Sequence, residues 1–149
     1  MTLLRALIPL AAALTGAPAA AADIAAPAAA VRYSERQVWE YRTRPNERGS
    51  LLKIQRIEHT GQEQDPVYHI SIIGLQLGTD TQRALPHAPV SRQTLDASVT
   101  RRSDSRADFP SAEEGIAEWR AANGGVFTIT VAEIAAVVEE AMRRAREGN

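Results

Sequence analysis

The chain contains no cysteine. Disulfides, thiolate chemistry and cysteine-ligated metals are excluded, as is the lipid anchor of a bacterial lipoprotein. Lysine is nearly absent as well: Lys53 stands alone, and every other basic residue is arginine. Aromatics make up 5% of the chain, so each Trp or Tyr is expected to anchor a core and not to decorate a surface. No charge of one sign dominates. The formal net charge is −1, and no basic face of the kind that grips phosphate backbones can be assembled, so nucleic acid is excluded as a partner. The one strongly apolar run is short and lies at the very start.

That run has a recognisable order. Arg5 supplies a positive start, Ala6 to Thr15 is almost wholly apolar, and Ala20-Ala21-Ala22 precedes Asp23. The pattern is that of a secretory signal peptide over residues 1–22, cleaved near Ala22. Its apolar core is shorter than the roughly 20 residues that span a bilayer, so no stable membrane anchor is expected after cleavage. The expected location is a bacterial periplasm or the surrounding medium. Residues 23–35 are rich in Ala and Pro and read as a flexible leader. Residues 36–147 are then expected to form a single domain, within the usual size of about 100–150 residues.

Within that domain, "QVWEYRTR" alternates, with Trp39, Tyr41 and Thr43 on one side and Glu40 and Arg42 on the other. "LLKIQRIE" and "VYHISIIGLQL" follow as second and third strands, separated by Pro-, Asn- and Gly-bearing turns. The third is apolar on both faces and is expected to be central. "LPHAP" and its surroundings, Gly78 to Pro89, read as a loop. Ser91 is a helix N-cap before "RQTLDASVTR", with Val90 and Leu95 in hydrophobic-staple positions. Ser111 with Glu114, and Thr130 with Glu133, have capping-box spacing before two further helices. Asn123-Gly124-Gly125 marks the stop of the first of these, and "VFTIT" a fourth strand. Gly115 inside a helix costs about 1 kcal/mol against Ala, so something should pack against it or the helix should be short. The predicted class is α+β: a three-stranded antiparallel meander plus a fourth strand, about three helices packed on one face, in the order β-β-β-α-α-β-α.

Chemistry is sparse. "SLLK", Ser50 to Lys53, matches the S-x-x-K of serine β-lactamases formally, but it falls in a strand, where those positions face opposite ways. No phosphate-binding glycine loop, nucleophile elbow or H-E-x-x-H occurs. Asp104 and Asp108 lack the spacing of a calcium loop. No cofactor is expected. Of the three histidines, His59 falls in a turn with Gln62, Glu63, Gln64 and Asp65 nearby. His69 is on the central strand and His87 lies between two prolines. Two readings stay open: His69 is a structural strand histidine, or His69 and His87 meet at one mouth of the sheet.

The segments "VWEYRTRP", "GSLLKIQRIE", "YHISIIGL", "LPHAPVSRQTLDAS" and "EGIAEWRAANGGVFTI" resemble those of small exported proteobacterial proteins of unassigned function. That resemblance implies an exported domain and transfers no catalytic residue. The expected function is therefore non-catalytic: binding of an envelope protein or a small ligand, with His69, Arg83 and His87 as candidate binding residues. The alternative is a small hydrolase pairing a histidine with a carboxylate such as Asp80.

Overall fold

A computed structural model of the chain describes residues 31–60, 65–78 and 83–148. The expected signal peptide, most of the leader, Gln62 to Gln64 and Asp80 lie outside the described residues. Among the described residues, no helix is long and apolar enough to cross a membrane.

The fold is α+β, as expected. The elements are β1 (Val38–Tyr41), β2 (Leu51–Glu58), β3 (Val67–Ile73), β4 (Ala84–Val90), α1 (Arg92–Ser98), β5 (Val99–Ser103), α2 (Glu113–Ala121) and α3 (Val131–Glu147). All pairings are antiparallel in one five-stranded sheet of order β4-β3-β2-β1-β5, so β1 to β4 form a meander and α1 carries the chain across to the far edge.

Strand alternation sorts the side chains into two layers. One face carries Trp39, Tyr41, Leu52, Ile54, Tyr68, Ile70, Ile72, Ala88 and Val90, closed over by Leu95 of α1 and Val131, Ile134 and Ala135 of α3. Full burial of such an aliphatic side chain contributes about 1.5–3 kcal/mol, so this layer dominates the stability. Tyr33, placed by sequence in the leader, belongs to the same core: its ring meets Trp39 and Tyr68 edge-on at 5.6 Å, and its hydroxyl donates to Asp96 at 2.7 Å.

Several expectations need correction. The helices do not share one face: α1 and α3 cover the main core, whereas α2 packs on the opposite face, over His69 and His87. The segment read as a loop through Pro89 contains β4. Its prolines disguised it, yet Pro is tolerated in a strand at the sheet edge or at a bulge, where its missing N–H removes no ladder bond. The "VFTIT" segment is not a strand. Phe127 alone docks on the β4 edge, its N–H donating to the Pro89 carbonyl at 2.9 Å and its own carbonyl accepting from Ser91 at 2.9 Å. The helix begun at Ser91 stops at Ser98, and the β-branched Val99 and Thr100 open β5.

The capping motifs divide. Ser91 caps α1, accepting from the Thr94 N–H, and Thr130 with Glu133 forms a complete capping box on α3. Ser111 does not form the expected box with Glu114: the N-cap position of α2 falls on Ala112, and the Ser111 hydroxyl accepts instead from the Glu113 N–H at 3.3 Å. At the other end of α2 the expected stop is present. Asn123 takes φ +46°, Gly124 donates to the Trp119 carbonyl at 2.9 Å and Asn123 to that of Arg120 at 3.3 Å, the Schellman arrangement.

Candidate functional site: an imidazole pair beneath a short helix

β3 turns His69 away from the main core, because Tyr68 and Ile70 on either side of it point inward. Bulges in both neighbouring strands flank it. In β2 the register shifts between Ile54 and Arg56, setting Arg56 opposite His69. In β4 the register shifts so that Pro86 and His87 together oppose Ser71. A bulge re-aims side chains, and here it brings His87 over His69. The His69 Nδ1 and His87 Nε2 atoms lie 2.8 Å apart, with ring centroids separated by 5.1 Å and planes at 23°.

α2 covers the pair. The Trp119 indole stands edge-on to the His69 ring at 4.9 Å, and its N–H donates to the Gly125 carbonyl at 2.9 Å, so the helix stop also fixes the indole. Gly115 lies directly against His87: a Cβ there would sit 2.5 Å from the His87 Cβ. That close approach answers the question raised by a glycine inside the helix. Ion pairs fasten both ends of α2 to β2, Glu113 to Arg56 at 2.7 Å and Arg120 to Glu58.

Burial first, and the neighbouring charges second, set the protonation of the pair. His69 is fully buried, and burial holds its pKa below the ordinary histidine value, with Arg120 and Arg56 acting in the same sense and Glu58 against them. His87 is held down to about 4, by burial first and by His69 second. The hydrogen bond to Arg120 holds the Glu58 carboxyl below its ordinary value. At neutral pH the site is thus two neutral imidazoles beside an ionised carboxylate. The His69 Nε2 atom is buried without a hydrogen-bond partner, with the Glu58 carboxylate 3.8 Å away. We assign the His69 proton to Nε2, where it faces that negative charge. Nδ1 then accepts, His87 donates through Nε2, and the lone pair of His87 Nδ1 is left beside Gly115 on the side of α2.

That side is a cleft. A hollow of about 580 Å³ runs between β4 and α2, lined by Pro86, His87, Ser111, Glu114, Glu118 and Trp119 among others. The Trp119 indole divides it from a second hollow of about 500 Å³ that reaches Glu58 and Arg120. Glu114 and Glu118 lie one turn apart on the first wall, a like-charge pair that disfavours an isolated helix. The lining carries carboxylates, an aromatic face and a neutral nitrogen acceptor, and no cation.

His69 and His87 therefore come together as the second of the two readings required. Arg83 does not join them. It is exposed at the start of β4, about 13 Å along the strand from His87. His59 is exposed just past β2. Ser50 and Lys53 do not meet: the serine hydroxyl bonds Tyr41 and the Ile73 carbonyl, and the lysine lies over the Phe109 ring. Among the described residues no group of three or more His, Asp or Glu side chains is placed to hold a metal ion. Glu58, Gly115 and Arg120 were not singled out as site residues from sequence. The one signal available was the glycine inside a helix. Comparison with known proteins finds no matching family model, no matching curated protein and no matching solved structure.

Proposed function

We propose that the protein is an exported binding domain of the bacterial cell envelope, and that the cleft between β4 and α2 is where it takes a protein partner or a small ligand. The N-terminal pattern of Arg5, the apolar run and Ala20-Ala21-Ala22 supports export. The observation that carries the binding role is the 2.8 Å bond between the imidazoles, which commits their facing nitrogens to each other and leaves His87 Nδ1 as an acceptor at the cleft. With Glu114 and Glu118 on the same wall, the matching group is a hydrogen-bond donor that carries positive charge, an ammonium or a guanidinium. Trp119 offers such a cation an aromatic face.

The test is a titration of the ¹⁵N-labelled domain with agmatine and with a short arginine peptide. Shifts confined to Gly115, Glu118 and the Trp119 indole, with affinity at least tenfold weaker in His87→Ala, are expected. Shifts elsewhere, or equal affinity in the variant, would contradict the placement.

A second reading, a small hydrolase, is favoured by one feature: His69 has the Glu58 carboxylate 3.8 Å from its Nε2 and His87 bonded at its Nδ1, an arrangement that could make His87 a base toward a cleft-bound water. Turnover of ester or amide substrates abolished by His87→Gln would establish it. Cation binding without turnover would leave the binding role alone.

A further inference from the structure

α2 is the most lightly anchored helix. Ile116 is its one buried residue, whereas α1 and α3 each bury three. Neither Ile116 nor its neighbour Ala112 belongs to the main core. Its remaining hold on the sheet is the stack of Gly115 and Trp119 on the histidines, together with its ion pairs to β2. Segments of this kind open at lower free energy than the domain as a whole.

The imidazole pair has room for one proton between its facing nitrogens. A first added proton leaves that bond intact, since one nitrogen still donates and the other still accepts. A second places a proton on both, 2.8 Å apart, and the bond becomes a repulsion. The surroundings offer little relief. From β2, Glu58 faces His69 but is already bonded to Arg120, and Arg56 adds a positive charge. From α2, Arg120 adds another, and Glu113 is bonded to Arg56. Glu114 and Glu118 line the outer cleft, and β4 contributes only His87 itself.

We propose that the cleft is acid-opened: double protonation of the His69–His87 pair lifts α2 from the sheet while the main core stays folded. This rests on the reading of the cleft as the binding site and makes its occupancy sensitive to pH. The depressed value of about 4 at His87 sets the direction, since the open form takes up protons that the closed form refuses as pH falls below the ordinary histidine range.

The test is hydrogen exchange on the full chain between pH 7.5 and 4, corrected for intrinsic rates. Each proton taken up on opening contributes about a tenfold change per pH unit. Below about pH 6 protection over Glu113–Ala121 should therefore fall by more than tenfold and at most about a hundredfold per unit, while it changes little near pH 7.5 and β2 and β3 hold theirs throughout. His87→Gln, half-buried and still able to donate to His69, should flatten the dependence. A Glu58→Gln variant that keeps the steep dependence shows that carboxylate titration is not its source. Constant α2 protection, simultaneous loss in all elements, or an unchanged slope in His87→Gln would overturn the proposal. No ligand is involved, so failure here is separate from failure of the cation titration.

Discussion

Among the described residues, two of the buried polar clusters are built on opposite terms. At the β1–β2 turn, Glu47 is 2% exposed, yet its carboxylate is fully engaged: it accepts from Arg44 Nε at 2.9 Å, from Arg44 Nη2 at 2.5 Å and from the Gln76 N–H at 2.7 Å. Arg44 also reaches Glu139 of α3 at 2.5 Å and the Gln76 carbonyl at 2.9 Å. Beneath α2, by contrast, the histidine pair keeps a buried nitrogen with no partner. A network with every group satisfied fixes one geometry. A buried polar atom left short in a native structure marks a place where folding alone does not account for the side chain. The first cluster is architecture, and the second is where the functional proposal belongs.

The largest effect should come from the satisfied cluster. Glu47→Ala leaves the Gln76 N–H without its acceptor and Arg44 with only Glu139 and the Gln76 carbonyl, and urea unfolding should show a loss of about 1.5–3 kcal/mol. A loss under 1 kcal/mol would erase the contrast. Next is Gly115→Ala. The methyl gains about 1 kcal/mol of helix propensity but collides with His87, and overpacking costs about 1–3 kcal/mol. A net loss of about 1 kcal/mol is expected, with a shift in Trp119 emission as α2 moves outward. Stability should also rise with pH between about 4 and 6.5, because the unfolded chain binds protons that the folded pair does not. The slope is at most about 1.4 kcal/mol per unit for each proton, and His87→Gln should reduce it. The smallest effect is the double variant His69→Leu with His87→Leu. It removes the unsatisfied nitrogen and both partners of the imidazole bond, so thermal unfolding should place it within about 1 kcal/mol of the parent, a smaller change than at Glu47.

Local signals carried much of the fold. The alternation of Trp39 and Tyr41, the doubly apolar Val67–Ile73 strand, the caps at Ser91 and Thr130 and the Asn123 stop all depend on neighbours within a few residues, and all are present. What escaped was set by pairing at a distance. Pro86 and Pro89 look like a loop until β3 is seen to supply a partner along one side of the segment. Val99–Ser103 becomes a strand because β1 has a free edge to receive it. Ser111 has the spacing of a cap, yet the contact of α2 with β4 sets where the helix begins.

The site divides the same way. The meeting of His69 and His87 was legible as one of two readings, but it depends on a bulge that no local pattern announces. Glu58 and Arg120 sit 62 positions apart and are joined only by the docking of α2. Gly115 was the exception, because a glycine within a helix asks for a close neighbour and His87 is that neighbour.

The account turns on where the protons of the pair reside, and ¹⁵N NMR of the histidine rings at pH 7 reads this directly. Both rings should be neutral and protonated at Nε2, with His87 Nδ1 bare. A proton on His87 Nδ1, or an imidazolium at either ring, would contradict the acceptor on which the proposed cleft depends.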